Sequence, residues 1–198
     1  MKSVALVLFV VTALGLFGDA RAAEEIGAFT ISDSMPEAIV LTGEIDNATP
    51  GDFRRALAAQ PGAKVLVLGS PGGIVSSALK LASMVKSRGM STAIPRGFGC
   101  YSACAYVFFA GRDHVAQGKL GVHRMSTGSG SANDASGASA YYAHVSGDIA
   151  RFNVPDGVIE RMLETPPDSM HVFTRKEIAA LAINRGSPKS LAARYAAL

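Results

Sequence analysis

The stretch GFGCYSACAYVFFAG, Gly97–Gly111, sets a serine midway between two cysteines at the head of an apolar run. The turn Gly97-Phe98-Gly99 breaks the chain, and the apolar residues from about Tyr101 to Ala110 read as a helix. Ser102 therefore falls where an extended segment gives way to a helix. Two readings stand for it. It is a plain helix N-cap, or it is a nucleophile, with the unpaired first amides of the helix available to a developing oxyanion.

Cys100 and Cys104, the chain's two cysteines, bracket it. On a regular helix, residues four apart hold their Cβ atoms about 5–6 Å apart, whereas a disulfide wants roughly 3.5–4.5 Å. A bridge closes only if Cys100 lies on the turn before the helix; otherwise the pair is two small buried thiols. Two cysteines alone do not make a zinc site, and nothing else in the chain calls for a metal or a cofactor.

Outward from this stretch, strands and helices alternate. Ile26 to Ile31 is a first short strand, and Ala38 to Thr42 (AIVLT) is a second, apolar on both faces. NATPGDFRRALAAQ reads as a cap, a proline and a helix from Pro50 to Gln60. Lys64 to Ser70 is a buried strand, broken by Pro71-Gly72-Gly73. Ile74 to Ser87 is an amphipathic helix, Ser91 to Pro95 a strand, and KLGVHRM a strand ending near His123. Further on, Tyr141–Phe152 and Pro155–Glu164 read as helices, and TRKE at Thr174–Glu177 as a capping box. The pattern predicts one α/β domain with a mostly parallel sheet, residues 23–198. Residues 126–138 read as a flexible loop and 187–198 as a loosely attached tail.

In parallel sheets, reactive groups gather where strands end. Gly72 and Gly73 end one strand and offer a side-chain-free backbone amide; the plain reading is a turn. His123 ends another and is a candidate base, or a structural histidine. His144 and Asp148, four apart, are a solvent-facing pair before they are metal ligands. Tyr141–Tyr142 and Phe108–Phe109 read as core or interface.

The chain has 198 residues, 48% of them hydrophobic and 18% charged, and a formal charge of +3. That charge is small and scattered, so nucleic acid is not an expected partner. The N-terminus has a basic start, an apolar stretch from Val4 to Phe17 and the small-x-small site Ala20-Arg21-Ala22, the pattern of a secretory signal peptide, residues 1–22, cleaved after Ala22. The apolar stretch is shorter than the roughly 20 residues a spanning helix needs; an uncleaved anchor is the alternative. The expectation is an exported chain, periplasmic or secreted, with no stable membrane insertion after cleavage, in a compartment that permits disulfides.

AIVLTGEID (Ala38–Asp46), VLVLGSPGG (Val65–Gly73), GCYSACAYVFFAG (Gly99–Gly111) and LGVHR (Leu120–Arg124), in this order, resemble the proteolytic subunit of the Clp protease, ClpP, and more closely the exported, periplasmic ClpP-like proteins of bacteria. The 29 residues from Gly73 to Ser102 agree with that family's spacing. The resemblance implies a ClpP/crotonase-type spiral of stacked ββα units. It matches Ser102 to the nucleophile, His123 to the base, and Gly73 and Ala103 to the residues whose amides form the oxyanion hole. It implies a peptide or protein substrate, no cofactor, and a homo-oligomer.

The chain departs from the family at Ala103 and at Arg124–Met125, where the family carries methionine and Gln-Pro. Cysteines flank the serine, as in the exported relatives. The third triad member is expected at Asp168, on the loop ETPPDSMH, with Asp148 as the second choice; His171 stands nearest the family's position. The segment after His123 is short and Gly/Ser-rich, so the family's double ring and its unfoldase partner do not carry over. A ClpP-fold scaffold without catalysis, and a crotonase-like acyl-thioester enzyme, are the competing expectations.

Overall fold

The computed structural model describes residues 23–125, 146–147 and 149–198. The signal peptide, the 126–138 loop, His144, Asp148 and half of the expected 141–152 helix lie outside the described residues.

The main sheet is built from β1 (Glu24–Ile26), β2 (Phe29–Ile31), β3 (Ala38–Leu41), β4 (Val65–Leu68), β5 (Ser91–Ile94) and β7 (His114–Ala116), side by side in that order. β1, β2 and β3 pair antiparallel; β3, β4, β5 and β7 run parallel. The first strand expected over Ile26–Ile31 is thus a hairpin, because Gly27 takes φ +59° and turns the chain. A second sheet holds β6 (Gly99–Tyr101), β8 (Lys119–Val122) and β9 (His171–Val172), with β6 parallel to β8 and β9 antiparallel to it.

Side-chain alternation explains the layers. Leu66 and Leu68 of β4 join Ile39, Leu41 and Ile94 in the large core; Val65 and Val67 point the other way with Ala38 and Ala93. Helices α1 (Thr49–Ala59), α2 (Val75–Ser87) and α3 (Cys104–Phe109) cover the first face. Thr92, fully buried on that face, donates its hydroxyl to the Phe108 carbonyl at 2.6 Å. The second face is covered by the last helix, α6 (Leu191–Ala196), with Tyr195 and Ala196 buried against it. The 187–198 segment is therefore an integral layer, not a loosely attached tail. A parallel sheet apolar on both faces must be covered on both, and Ser190 caps the helix by accepting the Ala193 N–H.

Two more helices, α4 (Asp156–Glu164) and α5 (Arg175–Ala180), flank the second sheet. The capping box at α5 is present in both directions: Thr174 Oγ1 accepts the Glu177 N–H, and the Glu177 carboxylate accepts the Thr174 N–H at 2.8 Å. Those Thr174 bonds hold the Glu177 carboxyl below its ordinary range. At α1 the capping side chain is Asp46, which accepts from the Ala48 and Thr49 amides and from the Thr49 hydroxyl. No helix among the described residues is long and apolar enough to cross a membrane.

β7 carries a buried histidine. His114 packs edge-on against Phe108 and Phe109, and its Nδ1 lies 3.1 Å from the Gly111 carbonyl. Burial pushes its pKa below the ordinary 6.5. The folded ring thus refuses a proton that the unfolded chain takes up, and stability falls as pH drops below about 6.5. We expect the thermal midpoint to fall between pH 7.5 and 5.5, and to fall less in His114→Gln; equal falls in the two proteins would exclude His114 as a source.

Candidate active site

The site forms where three strand ends meet. β4 ends in Gly69-Ser70-Pro71-Gly72-Gly73. Ser70 is fully buried; its hydroxyl donates to the Gly43 carbonyl at 2.7 Å and accepts the Gly72 N–H at 3.1 Å. Gly72 and Gly73 take φ +98° and +140°. Side chains are excluded there by space as well as by φ. A Cβ on Gly72 would meet the Ser102 Cβ at 2.9 Å and the Ala103 nitrogen at 3.0 Å, and one on Gly73 would collide with the Ile45 carbonyl. The loop is pinned to that residue on both sides, by Ile45 N–H to the Gly72 carbonyl and Ile74 N–H to the Ile45 carbonyl, each 2.7 Å.

The second end is β6. The helix expected from Tyr101 begins only at Cys104, because Gly99, Cys100 and Tyr101 pair with Lys119, Leu120 and Gly121 of β8. Cys100 thus lies on a strand before the helix, and the two cysteines form a disulfide with Cα atoms 5.3 Å apart. Ser102 turns the corner at φ +54°, a conformation uncommon outside glycine. Its N–H donates to the Gly121 carbonyl at 3.0 Å, and the Tyr101 N–H to the Ser70 carbonyl at 3.1 Å. Ser102 accepts the Ala105 N–H at its carbonyl, and α3 has no side-chain cap, so the N-cap reading of its hydroxyl does not hold.

The third end is β8, which runs into His123. The register that sets Tyr101 against Gly121 brings the next residues, Ser102 and then His123, to the same edge. The His123 Nδ1 lies 2.8 Å from the Arg124 carbonyl, and the Arg124 N–H donates to the Thr165 carbonyl at 2.8 Å. A carbonyl only accepts, so Nδ1 is the donor in this contact, and in the neutral ring it is Nε2 that has the lone pair.

Ser102, His123, Gly73 and Ala103 line one cavity of about 140 Å³. Val75, Tyr106, Val122, Met125 and Met162 complete its wall, with the Tyr106 hydroxyl donating to the Met162 sulfur at 3.1 Å. The Gly73 and Ala103 amides donate to no acceptor among the described residues. Chemically, the cavity offers a hydroxyl, a basic ring nitrogen and two main-chain donors.

Asp168 does not join them. It is exposed, and its described hydrogen bond is with Ser169, while the Arg124 carbonyl occupies the His123 Nδ1. The expectation of Asp168 as the partner of His123 is corrected accordingly: Pro166 and Pro167 hold its loop as an outward turn, closed by the Ser169 N–H on the Pro166 carbonyl. His171 pairs through its backbone with Val122, and its Nε2 faces Glu177 at 2.9 Å. Sequence reasoning missed Ser70, the Gly121 carbonyl and the Tyr106–Met162 wall. Only Ser70, a lone polar residue closing an apolar strand, carried a signal.

No protein-family model matches the chain, and neither does any curated protein. Among solved structures it is similar to ClpP1 from Listeria monocytogenes, with a TM-score of 0.55, 15% identity and coverage of 75% of this chain and 89% of that one. It is also similar to a mutant of the 1510-N membrane-bound stomatin-specific protease in complex with a substrate peptide, with a TM-score of 0.52, 18% identity and coverage of 74% and 71%. At these identities the likeness is one of fold: the chain is a single α/β domain of ClpP-like fold.

Replacing Gly73 by alanine should destabilise the protein by about 1–3 kcal/mol, from the positive φ and the collision with Ile45. Urea unfolding measures it, and an unchanged midpoint would mean that the loop does not run against Ile45 as described.

Proposed function

We propose that the protein is an exported serine hydrolase acting on peptide bonds. The observation that carries this reading is the convergence on one cavity of Ser102, held at positive φ, with His123 and the unpaired amides of Gly73 and Ala103. The signal-peptide pattern of residues 1–22 and the disulfide support export. The fold shared with a protease bound to a substrate peptide supports the substrate class.

In this mechanism the Ser102 Oγ attacks the peptide carbonyl carbon while His123 Nε2 removes its proton. The carbonyl oxygen becomes an oxyanion and takes hydrogen bonds from Gly73 and Ala103. His123 returns the proton to the leaving amine, and a water molecule, activated by the same nitrogen, releases the acyl group from Ser102. The Arg124 carbonyl keeps the ring in the tautomer these steps need. The apolar wall receives the substrate side chain next to the scissile bond.

A fluorophosphonate probe tests the reading. The mature protein should be labelled at neutral pH, Ser102→Ala not at all, and His123→Ala at least about 10²-fold more slowly. Asp168→Ala should label within about twofold of the wild type, since an exposed side chain without a bond to His123 falls among near-neutral surface changes. Absence of labelling in a cooperatively folded, oxidised sample would favour a non-catalytic binding protein of the same fold.

A further inference from the structure

We propose that Cys100 and Cys104 are positioning residues for Ser102, their disulfide holding the serine's turn in its working conformation, so that the site assembles only in the oxidised chain. The proposal rests on the reading of Ser102 as a nucleophile. The bond joins the middle of β6 to the first residue of α3, with Ser102 at the centre of the five residues it encloses. Four peptide units of extended chain would reach about 13–14 Å, yet these Cα atoms are 5.3 Å apart. The chain therefore doubles back within the loop, and it does so through Ser102 at φ +54°. A serine gains nothing from that region by itself.

Few other contacts hold the corner. α3 is six residues long and starts without a side-chain cap. The turn's remaining tethers are main-chain bonds: Tyr101 to Ser70, Ser102 to Gly121, and Ala105 to Ser102. Without the covalent link, main-chain bonds alone oppose a return of Ser102 to negative φ. That rotation carries its Oγ and the following Ala103 amide out of the cavity together, removing the nucleophile and an oxyanion donor in one movement. Both cysteines are fully buried, so the bond is made as the chain folds and is shielded afterwards. Reduction of the bond takes two electrons and two protons from a dithiol such as dithiothreitol, which closes to its own cyclic disulfide and leaves two thiols. A chain that folds in a reducing compartment would thus be kept from hydrolysing peptides.

The experiment compares the oxidised mature protein with Cys100→Ala/Cys104→Ala and with Cys100→Val/Cys104→Ala, the second filling more of the vacated volume. Hydrogen–deuterium exchange is read on peptides covering 100–106 and, separately, on β3 to β5. Exchange should rise at least about tenfold over 100–106 and stay unchanged in the parallel strands. Fluorophosphonate labelling at saturating probe should slow by about 10²-fold with the half-saturating concentration unchanged. Wild type that is reduced in denaturant and refolded with dithiothreitol should show the same loss, and reoxidation should restore the rate. Unchanged exchange over 100–106 overturns the proposal, as does unchanged labelling beside raised exchange. If both variants lose protection equally across β3 to β5, it is also overturned, because the bond then holds the whole fold. If oxidised wild type is never labelled while exchange rises only over 100–106, the nucleophile reading fails and the bond's hold on the turn stands.

Discussion

Two main-chain hydrogen bonds bring the functional groups together: Tyr101 N–H to the Ser70 carbonyl and Ser102 N–H to the Gly121 carbonyl. Each joins strand ends that are distant in sequence. The first ties the β6 end to the loop after β4, and the second ties it to β8 just before His123. Both involve consecutive residues of one strand end, so the corner at Ser102 cannot shift against one neighbour without straining the other. Apart from the Cys100–Cys104 disulfide, the side chains of the site add little to its geometry. Its precision comes from backbone, which suits a chemistry in which two of the acting groups are amides.

The glycines make that backbone contact attainable. Gly72 lies so close to Ser102 and Ala103 that no Cβ fits between them, and Gly73 is held against Ile45. Ser70, buried and bonded both to Gly43 and to Gly72, fixes where the loop begins. The same crowding that excludes side chains here leaves the Gly73 amide without an acceptor among the described residues, beside an equally unsatisfied Ala103 amide. Unpaired buried donors are costly in a folded protein. The buried Ala103 amide and the exposed Gly73 amide, lining one cavity with a hydroxyl and an imidazole, suit the proposed binding of a substrate's oxygen.

The parallel strands were legible because β3 and β4 are unbroken apolar runs that close near glycine, and β5, Ser91–Ile94, is a short stretch between Gly89 and Pro95; α2 was legible because its apolar residues recur at helical spacing. β7 and β9 were not. His114-Val115-Ala116 is too short to show a period, and His171-Val172 is a two-residue strand formed only by pairing with β8. The start of α3 was misplaced for a related reason. Cys100 and Tyr101 are as compatible with a helix as with a strand, and their pairing with Leu120 and Gly121 is a long-range fact. The role of the C-terminal helix was hidden too, since Ala192 and Ala196 are small residues whose burial depends on the flat second face of a sheet formed far upstream. At the site, local motifs pointed to Ser102, Gly73 and His123. Which group holds His123 could not be read locally, because it depends on the path of the chain after β8.

That holding group shapes the chemistry. A carboxylate on Nδ1 would both fix the tautomer and stabilise the imidazolium formed when the serine gives up its proton. The Arg124 carbonyl does the first and only weakly the second, since a neutral acceptor makes a hydrogen bond roughly half as strong as an ionised one. The arrangement therefore keeps Nε2 available as a base while offering less charge compensation at the moment of proton transfer. In the proposed hydrolysis, more of the barrier would then be lowered by the amides of Gly73 and Ala103, whose contribution does not depend on the charge of the histidine. The proposed site relies more on the placement of its main-chain donors than on its base, and the strand-end hydrogen bonds and the Gly72–Ser102 contact act on that placement together with the Cys100–Cys104 disulfide.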